Sequence, residues 1–595
     1  MQYEVSFGRL GRAPRPPVPT TKFRLAVLGD FSGRANAGRL ETGAALARRK
    51  PIKVDVDSLD DVIARQKLSL VLPLAEEGST VTVPIGGMDD FHPDQLVGKL
   101  EIFEQLLTLR HNLGNRAGFD RAAKQVLSWG GEAPLPPPPR QARGAAIATD
   151  RRLSDFTRLT GRAPVRDSDD SSVDDLMRRM VGPFVQPARD ARQEQLTARV
   201  DEALSAAMRR VLHHPDFQAA EATWRGVELL VRRIETDARM EIVLYDVSAE
   251  ELAADLAAAD ALEDSGLYGM LVEQPALDAH QGPLSALVAL YTFELTPPHA
   301  DLLGRAAQIA AAARAPFVAG IGPDALKLPP HEQHPLIKEA FAALQDLPAS
   351  AFLGLAAPRF LLRMPYGRKT DAIDAFAFEE FTRQGGLGGM LWGHPALLPG
   401  LLLAQTWARQ GSKMQLGSVM TVGDMPYYVY TDTDGEQIAL PCTERLYTER
   451  QAVQVATYRV MPLLSLRGRP EVRLGGFTSL AGTPLAGFWG IPALRSAPPP
   501  LSPPAASPPP AEASAPEASA PAEADASVDL DALLAGLATD TPAAAEESAA
   551  PEPADAAQTA ADDLDALLAS LNAEPPPAEP DATEPDLDAL LASLK

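Results

Sequence analysis

Residues 24–34 read RLAVLGDFSGR: a strand-like apolar run, then Gly29, Asp30, Phe31, Ser32, Gly33 and Arg34. A strand that runs into glycines, a carboxylate and a hydroxyl has two readings, a phosphate cradle or a corner. A phosphate loop needs GxGxxG or GxxxxGKS/T opening a helix, and GDFSGRANAG supplies neither. The corner is the reading that remains: a buried strand ending in a tight turn.

Outward from that strand, further strand-like runs lie at 52–56, 68–74 and 79–85. After Pro93 the spacing predicts one amphipathic helix with Leu96, Leu100, Phe103 and Leu107 on one face. Residues 1–127 therefore read as a small α/β unit. Residues 128–186 contain APLPPPPRQARGAA and DSDDSSVDD, too polar and Pro-rich to offset ordering entropy by burial. They read as a linker with one short helix at 173–181.

From 187 to 490 helix and strand signals alternate: helices at 196–212, 217–235, 249–261 and 299–314, strands at 241–247, 285–294 and 316–320. Such alternation predicts an α/β domain with a buried mixed sheet. After Gly411 the pattern turns β-rich, and Thr433-Asp434-Gly435 reads as a hairpin turn. Residues 491–595 are low-complexity, rich in Ala, Pro and acid, and are expected to be disordered.

Charge and composition exclude several classes of function. The 595 residues carry a net charge of −24, and residues 498–595 hold 20 acidic residues and one Lys, leaving −5 for the rest. No clustered Lys/Arg surface for nucleic acid is expected. The single cysteine, Cys442, forms no internal disulfide. The apolar stretch ALLPGLLLA (396–404) is too short to insert in a bilayer. These features predict a cytoplasmic, soluble protein.

Candidate chemistry is sparse. His213-His214-Pro215-Asp216 reads as a helix boundary, because adjacent histidines point apart and no second ligand group follows at metal spacing. Cys442 with His394 as base has no sequence support beyond the residue types. In the helix after Pro215, Phe217, Ala220, Trp224, Val227 and Val231 form a core stripe, with Arg225 and Glu228 beside it as a solvated or interfacial face. No catalytic residue, cofactor or metal site is expected.

The C-terminal stretch carries VDLDALLAGLA (528–538), DDLDALLASLN (562–572) and PDLDALLASLK (585–595). Each spaces leucines at i, i+3, i+4 and i+7: Leu530, Leu533, Leu534 and Leu537; Leu564, Leu567, Leu568 and Leu571; Leu587, Leu590, Leu591 and Leu594. A helix of about 10 residues is marginal by itself, so these stripes are candidate partner-binding faces.

Five ordered stretches, HHPDFQAAEATWRGVELLV (213–231), ARAPFVAG (313–320), PRFLLRMPYG (358–367), FEEF…LWGHPA (378–396) and VRLGGFTSL (472–480), resemble the large subunit of the type VI secretion contractile sheath. YEVSFG, FRLAVLGDFSGR, KVDVDSLDDVIAR and MDDFHPDQLVGKLEIFEQLLTLR resemble the small subunit. The resemblance implies a fused sheath protomer that self-assembles helically around an inner tube, meets baseplate components and is recycled by an AAA+ disassembly ATPase. Where the family's large subunit donates a strand to a neighbour, this chain carries the 128–186 segment.

Overall fold

The computed structural model of this chain describes residues 6–11, 22–74, 80–115, 117–129, 191–278, 282–432, 435–466 and 468–490. Strands β1 (Phe23–Gly29) and β2 (Ile52–Val54) precede a hairpin of β3 (Leu68–Pro73) and β4 (Thr80–Ile85). The later chain adds β5 (Met240–Asp246), β6 (Ala286–Phe293), β7 (Phe317–Ile321) and β8 (Leu353–Ala357). Short strands follow: β9 (Phe360–Leu361), β10 (Trp392–Gly393), β11 (Thr421–Val422), β12 (Val429–Thr431), β13 (Gln437–Ala439), β14 (Met461–Ser465) and β15 (Val472–Leu474).

Nine of these strands form one mixed sheet in the order β11-β15-β14-β8-β7-β6-β1-β5-β2. The run from β14 to β5 is parallel; β2 at one edge, and β15 and β11 at the other, pair antiparallel. All seven residues of β1 are buried. That explains the unbroken apolar run: a central parallel strand is covered on both faces. Its pleat divides it, with Phe23, Leu25 and Val27 in the core on one face and Ala26 and Leu28 in the core on the other. Arg24 is tolerated inside because its Nη1 donates to the Gly282 carbonyl at 2.5 Å and its Nε lies 3.6 Å from Glu241.

Helices Ala249–Ala258, Pro297–Ala313 and Pro335–Asp346 supply the core on the Ala26 face. Helices Pro215–Arg233 and Leu397–Gln410 supply the core on the Leu25 face. The predicted stripe is buried, Trp224 completely. The predicted helix after Pro93 is two helices, Pro93–Lys99 and Glu101–Gly114, broken at Leu100, whose backbone is extended (φ −106°, ψ 120°). Gly98 weakens the end of the first helix, and the break turns the second so that Ile102, Phe103, Leu106, Leu109 and Leu113 face inward while Leu107 is half-buried. The region after Gly411 is built from short strands as expected, but it also contains the helix Glu449–Thr457, opened by a capping box between Thr448 and Gln451. Strands β12 and β13 pair antiparallel, while residues 433–434 of the expected turn lie outside the described residues. So do residues 130–190, which hold the expected linker 128–186 except its first two residues, along with its expected helix at 173–181, and residues 491–595.

Candidate functional site: the seam that completes the sheet

The two neighbours of β1 both come from beyond residue 191. Leu25 stands in register with Ile242 of β5 on one side and Ala286 of β6 on the other. Without β1, both strands would present an unpaired edge in the middle of the sheet. The N-terminal stretch thus lends a central strand to a sheet otherwise made mostly by the later chain.

The corner after β1 locks this insertion. Asp246, at the end of β5, accepts the Phe31 and Ser32 amides at 2.8 and 3.1 Å and the Ser32 hydroxyl at 2.7 Å. Asp30 accepts the Arg34 and Ala35 amides at 2.6 and 2.9 Å; burial pushes its carboxyl upward, only partly opposed by these bonds. Gly33 has φ +68°, and a Cβ there would lie 2.8 Å from Leu68 Cδ1. The GDFSGR stretch is a corner, with the Asp30, Ser32 and Arg34 side chains turned to backbone or seam.

Beyond the corner, two arginines of the N-terminal stretch converge on one carboxylate. Glu251, fully buried, is the third residue of helix Ala249–Ala258 and closes its capping box with Ser248. Arg34 Nε donates to both Glu251 oxygens at 2.9 and 3.0 Å, and Arg49 donates through Nη1 and Nη2 at 2.7 and 2.5 Å. Arg49 also reaches Glu41 at 2.7 Å and the Asp246 carbonyl at 2.6 Å. Burial alone would raise the Glu251 carboxyl, but hydrogen bonds from Arg49 and Arg34 hold it down at about 2.

Contacts at three further places tie the early chain to the late one. Phe7 packs where Gly304 leaves room in helix Pro297–Ala313, a Cβ there falling 2.0 Å from the ring, and Gln308 donates to the Phe7 carbonyl at 2.6 Å. Asp94 accepts the Asp374 and Ala375 amides at 3.0 and 3.2 Å. Helix Glu101–Gly114 meets helix Ala191–Leu212 through Arg110 and Asp201 at 2.5 Å, and Gln193 donates to the Leu113 carbonyl at 2.9 Å.

A second buried charge network braces the Trp224 helix. Arg363 donates to Glu221 at 2.7 Å and to Glu380 at 2.7 Å, with its guanidinium 4.0 Å above the Tyr366 ring. Arg225 donates to Glu221 at 2.7 Å and to the Tyr366 hydroxyl at 3.0 Å. Of the two readings of Arg225, a solvated or an interfacial face, the structure bears out the second: the 360–380 segment packs beside the helix there. Burial would raise Glu380, and the opposing Arg363 charge with hydrogen bonds from Arg363 and the Tyr366 amide brings it to about 2.

Cys442 and His394 occupy separate surroundings. Cys442 is buried beside Ser465 and the Arg469 carbonyl, whereas His394 packs against Gly320 of β7 and accepts the Ala396 amide at 3.3 Å. His214 caps its helix as the boundary reading requires, its Nδ1 accepting the Asp216 amide at 3.2 Å. Among the described residues no group of His, Cys, Asp and Glu is arranged to hold a metal, and no helix is long and apolar enough to cross a membrane. The twelve leucines of the C-terminal motifs lie outside the described residues. Sequence reasoning missed the Arg34, Arg49 and Glu251 clamp, because its partners are separated by about 200 positions and share no period.

Residues 20–124, which hold β1, β2 and the corner, match the type VI secretion system VipA family, and residues 194–481 match the VipB tail sheath N-terminal domain. One chain carries both sheath-subunit domains of the type VI secretion system. The chain is also similar to the type VI secretion system sheath protein TssC1 of Pseudomonas aeruginosa, 29% identical over 304 residues. That match covers 48% of this chain and 61% of the relative, so the chain spans about three-fifths of that protein's length. The seam described above is therefore where a VipA-type strand enters a VipB-type sheet.

Proposed function

We propose that this chain is the structural protomer of a type VI secretion contractile sheath, in which one polypeptide supplies the shares of both subunits. It assembles helically in the cytoplasm around an inner tube on a baseplate, and shortens by repacking the interfaces between protomers to drive the tube outward. Its work is mechanical, with no catalytic step. The observation that carries this reading is the central position of β1, from the VipA-type part, between β5 and β6 of the VipB-type part. A lattice under load needs rigid units, and a strand buried on both faces with a paired edge on each side gives that rigidity.

The twelve stripe leucines of residues 528–595 are proposed as partner contacts, the candidate partners being the AAA+ disassembly ATPase and a baseplate component. Repeated weak motifs on one chain gain from effective concentration. These motifs are also what favours a second reading, a sheath-derived adaptor that recruits partners without polymerising. Electron microscopy of the purified full-length chain separates the two. Long hollow striated tubes support the sheath protomer, and discrete particles under every assembly condition overturn it in favour of the adaptor.

A further inference from the structure

We propose that Glu251 selects which N-terminal segment completes the sheet, accepting one that brings arginines at both positions 34 and 49. The proposal rests on the reading of the chain as a composite protomer and adds a recognition rule to it. Glu251 is fully buried, and outside its own helix cap it accepts from the two guanidinium groups and from the Glu41 amide at 2.9 Å, so its charged partners are the two arginines. A buried carboxylate that loses its counter-charges is strongly unfavourable, whereas a neutral side chain of the same shape is not. The carboxylate therefore acts mainly against wrong partners: a segment lacking both arginines leaves a buried charge uncompensated, one lacking a single arginine leaves it with half its charged donors, and one with an acid there adds repulsion.

The geometry distinguishes arginine from lysine. Each guanidinium spans both Glu251 oxygens, and Arg49 at the same time reaches Glu41 and the Asp246 carbonyl. An ammonium makes no such fork. Glu41, nearly half exposed at 48%, is hydrated and contributes little selection of its own. The segment that fits is the chain's own or that of a second copy, because both carry the same arginines at the same spacing.

The test is thermal unfolding of the full-length chain in two backgrounds. With Glu251 in place, the melting temperature is expected to fall in the order wild type, R34K/R49K, R34Q/R49Q, R34E/R49E. In the E251Q background, where glutamine still serves the capping box, the same four N-terminal sequences are expected to melt close together, and R34Q/R49Q/E251Q is expected to melt above R34Q/R49Q. Where a variant does not fold, soluble yield replaces the melting temperature in the same order. If the ranking persists unchanged in the E251Q background, or the triple variant melts at or below R34Q/R49Q, Glu251 does not select. Because folding is read without polymerisation, this result is independent of whether tubes form.

Discussion

Phe31 meets Trp224 edge to face, with ring centroids 5.3 Å apart and planes at 61°. One ring comes from the corner after β1, the other from the middle of the core helix of the VipB-type part, and both are fully buried. The contact joins the VipA-type and VipB-type parts of the chain. Trp224→Ala is expected to cost about 3–5 kcal/mol and Phe31→Ala a similar amount. A double-mutant cycle should return a coupling of about 0.5–1.5 kcal/mol. Strict additivity in denaturant unfolding would mean that the two rings do not support each other across the seam.

Acid should loosen the protein through two of its buried carboxylates. Glu251 and Glu380 are held at about 2, below the ordinary 4.5. A carboxyl whose folded value is depressed stabilises fully above its unfolded value, and the contribution is lost as pH falls from about 4.5 through about 2. Asp30, raised by its burial, works in the opposite sense. E380Q is expected to melt lower than wild type at neutral pH, since Arg363 loses a partner, yet to lose stability less steeply between pH 4.5 and 2. Parallel slopes for the two proteins would show that Glu380 titrates normally in the folded state.

Gly33→Ala should destabilise the corner twice over, by placing a Cβ at φ +68° and by driving it to 2.8 Å from Leu68 Cδ1. The nearby Gly38 has φ +64° with no atom within 4 Å of a Cβ, so Gly38→Ala carries the backbone cost alone. A clearly larger drop in melting temperature at position 33 than at 38 is the expected outcome. Equal drops would locate the whole effect in the backbone.

The order of helices and strands was legible because each is governed by a local period: the buried run of β1, the Trp224 stripe and the alternation from 187 onward all stand in the structure. The break at Leu100 was not legible, since nothing stronger than Gly98 marks it and the apolar spacing continues through it. Glu221, Arg363 and Glu380 were missed for a different reason: their pairing depends on the 360–380 segment folding over a distant helix, which leaves no periodic trace. One signal was present and read only once. His92, His214, His334 and His394 each precede a proline, and each accepts with Nδ1 the amide two residues on, at 3.2, 3.2, 3.3 and 3.3 Å. The His-Pro pair opens a helix at 92, 214 and 334, where the histidine is the N-cap and the proline the first helical residue; at 394 it makes the turn just before helix Leu397–Gln410, which Ala396 caps.

The C-terminal motifs make a separable prediction. The isolated 491–595 segment should retain a partner from lysate that is lost when all twelve stripe leucines are changed to Ser, a change that leaves charge untouched. Recovery of the same proteins by both versions, or of none, would remove the recruitment role.

The folding of the VipA-type and VipB-type parts as one unit follows from β1 being its internal strand. Its most direct test is to express residues 1–129 and 191–490 separately and together, each with its own tag. Expressed alone, 1–129 is predicted to be insoluble or unfolded, and 191–490 to aggregate through the open edges of β5 and β6; co-expressed, the two should purify as a 1:1 complex with one cooperative melting transition. A soluble, monomeric 1–129 that unfolds cooperatively by itself and does not bind 191–490 would contradict the account.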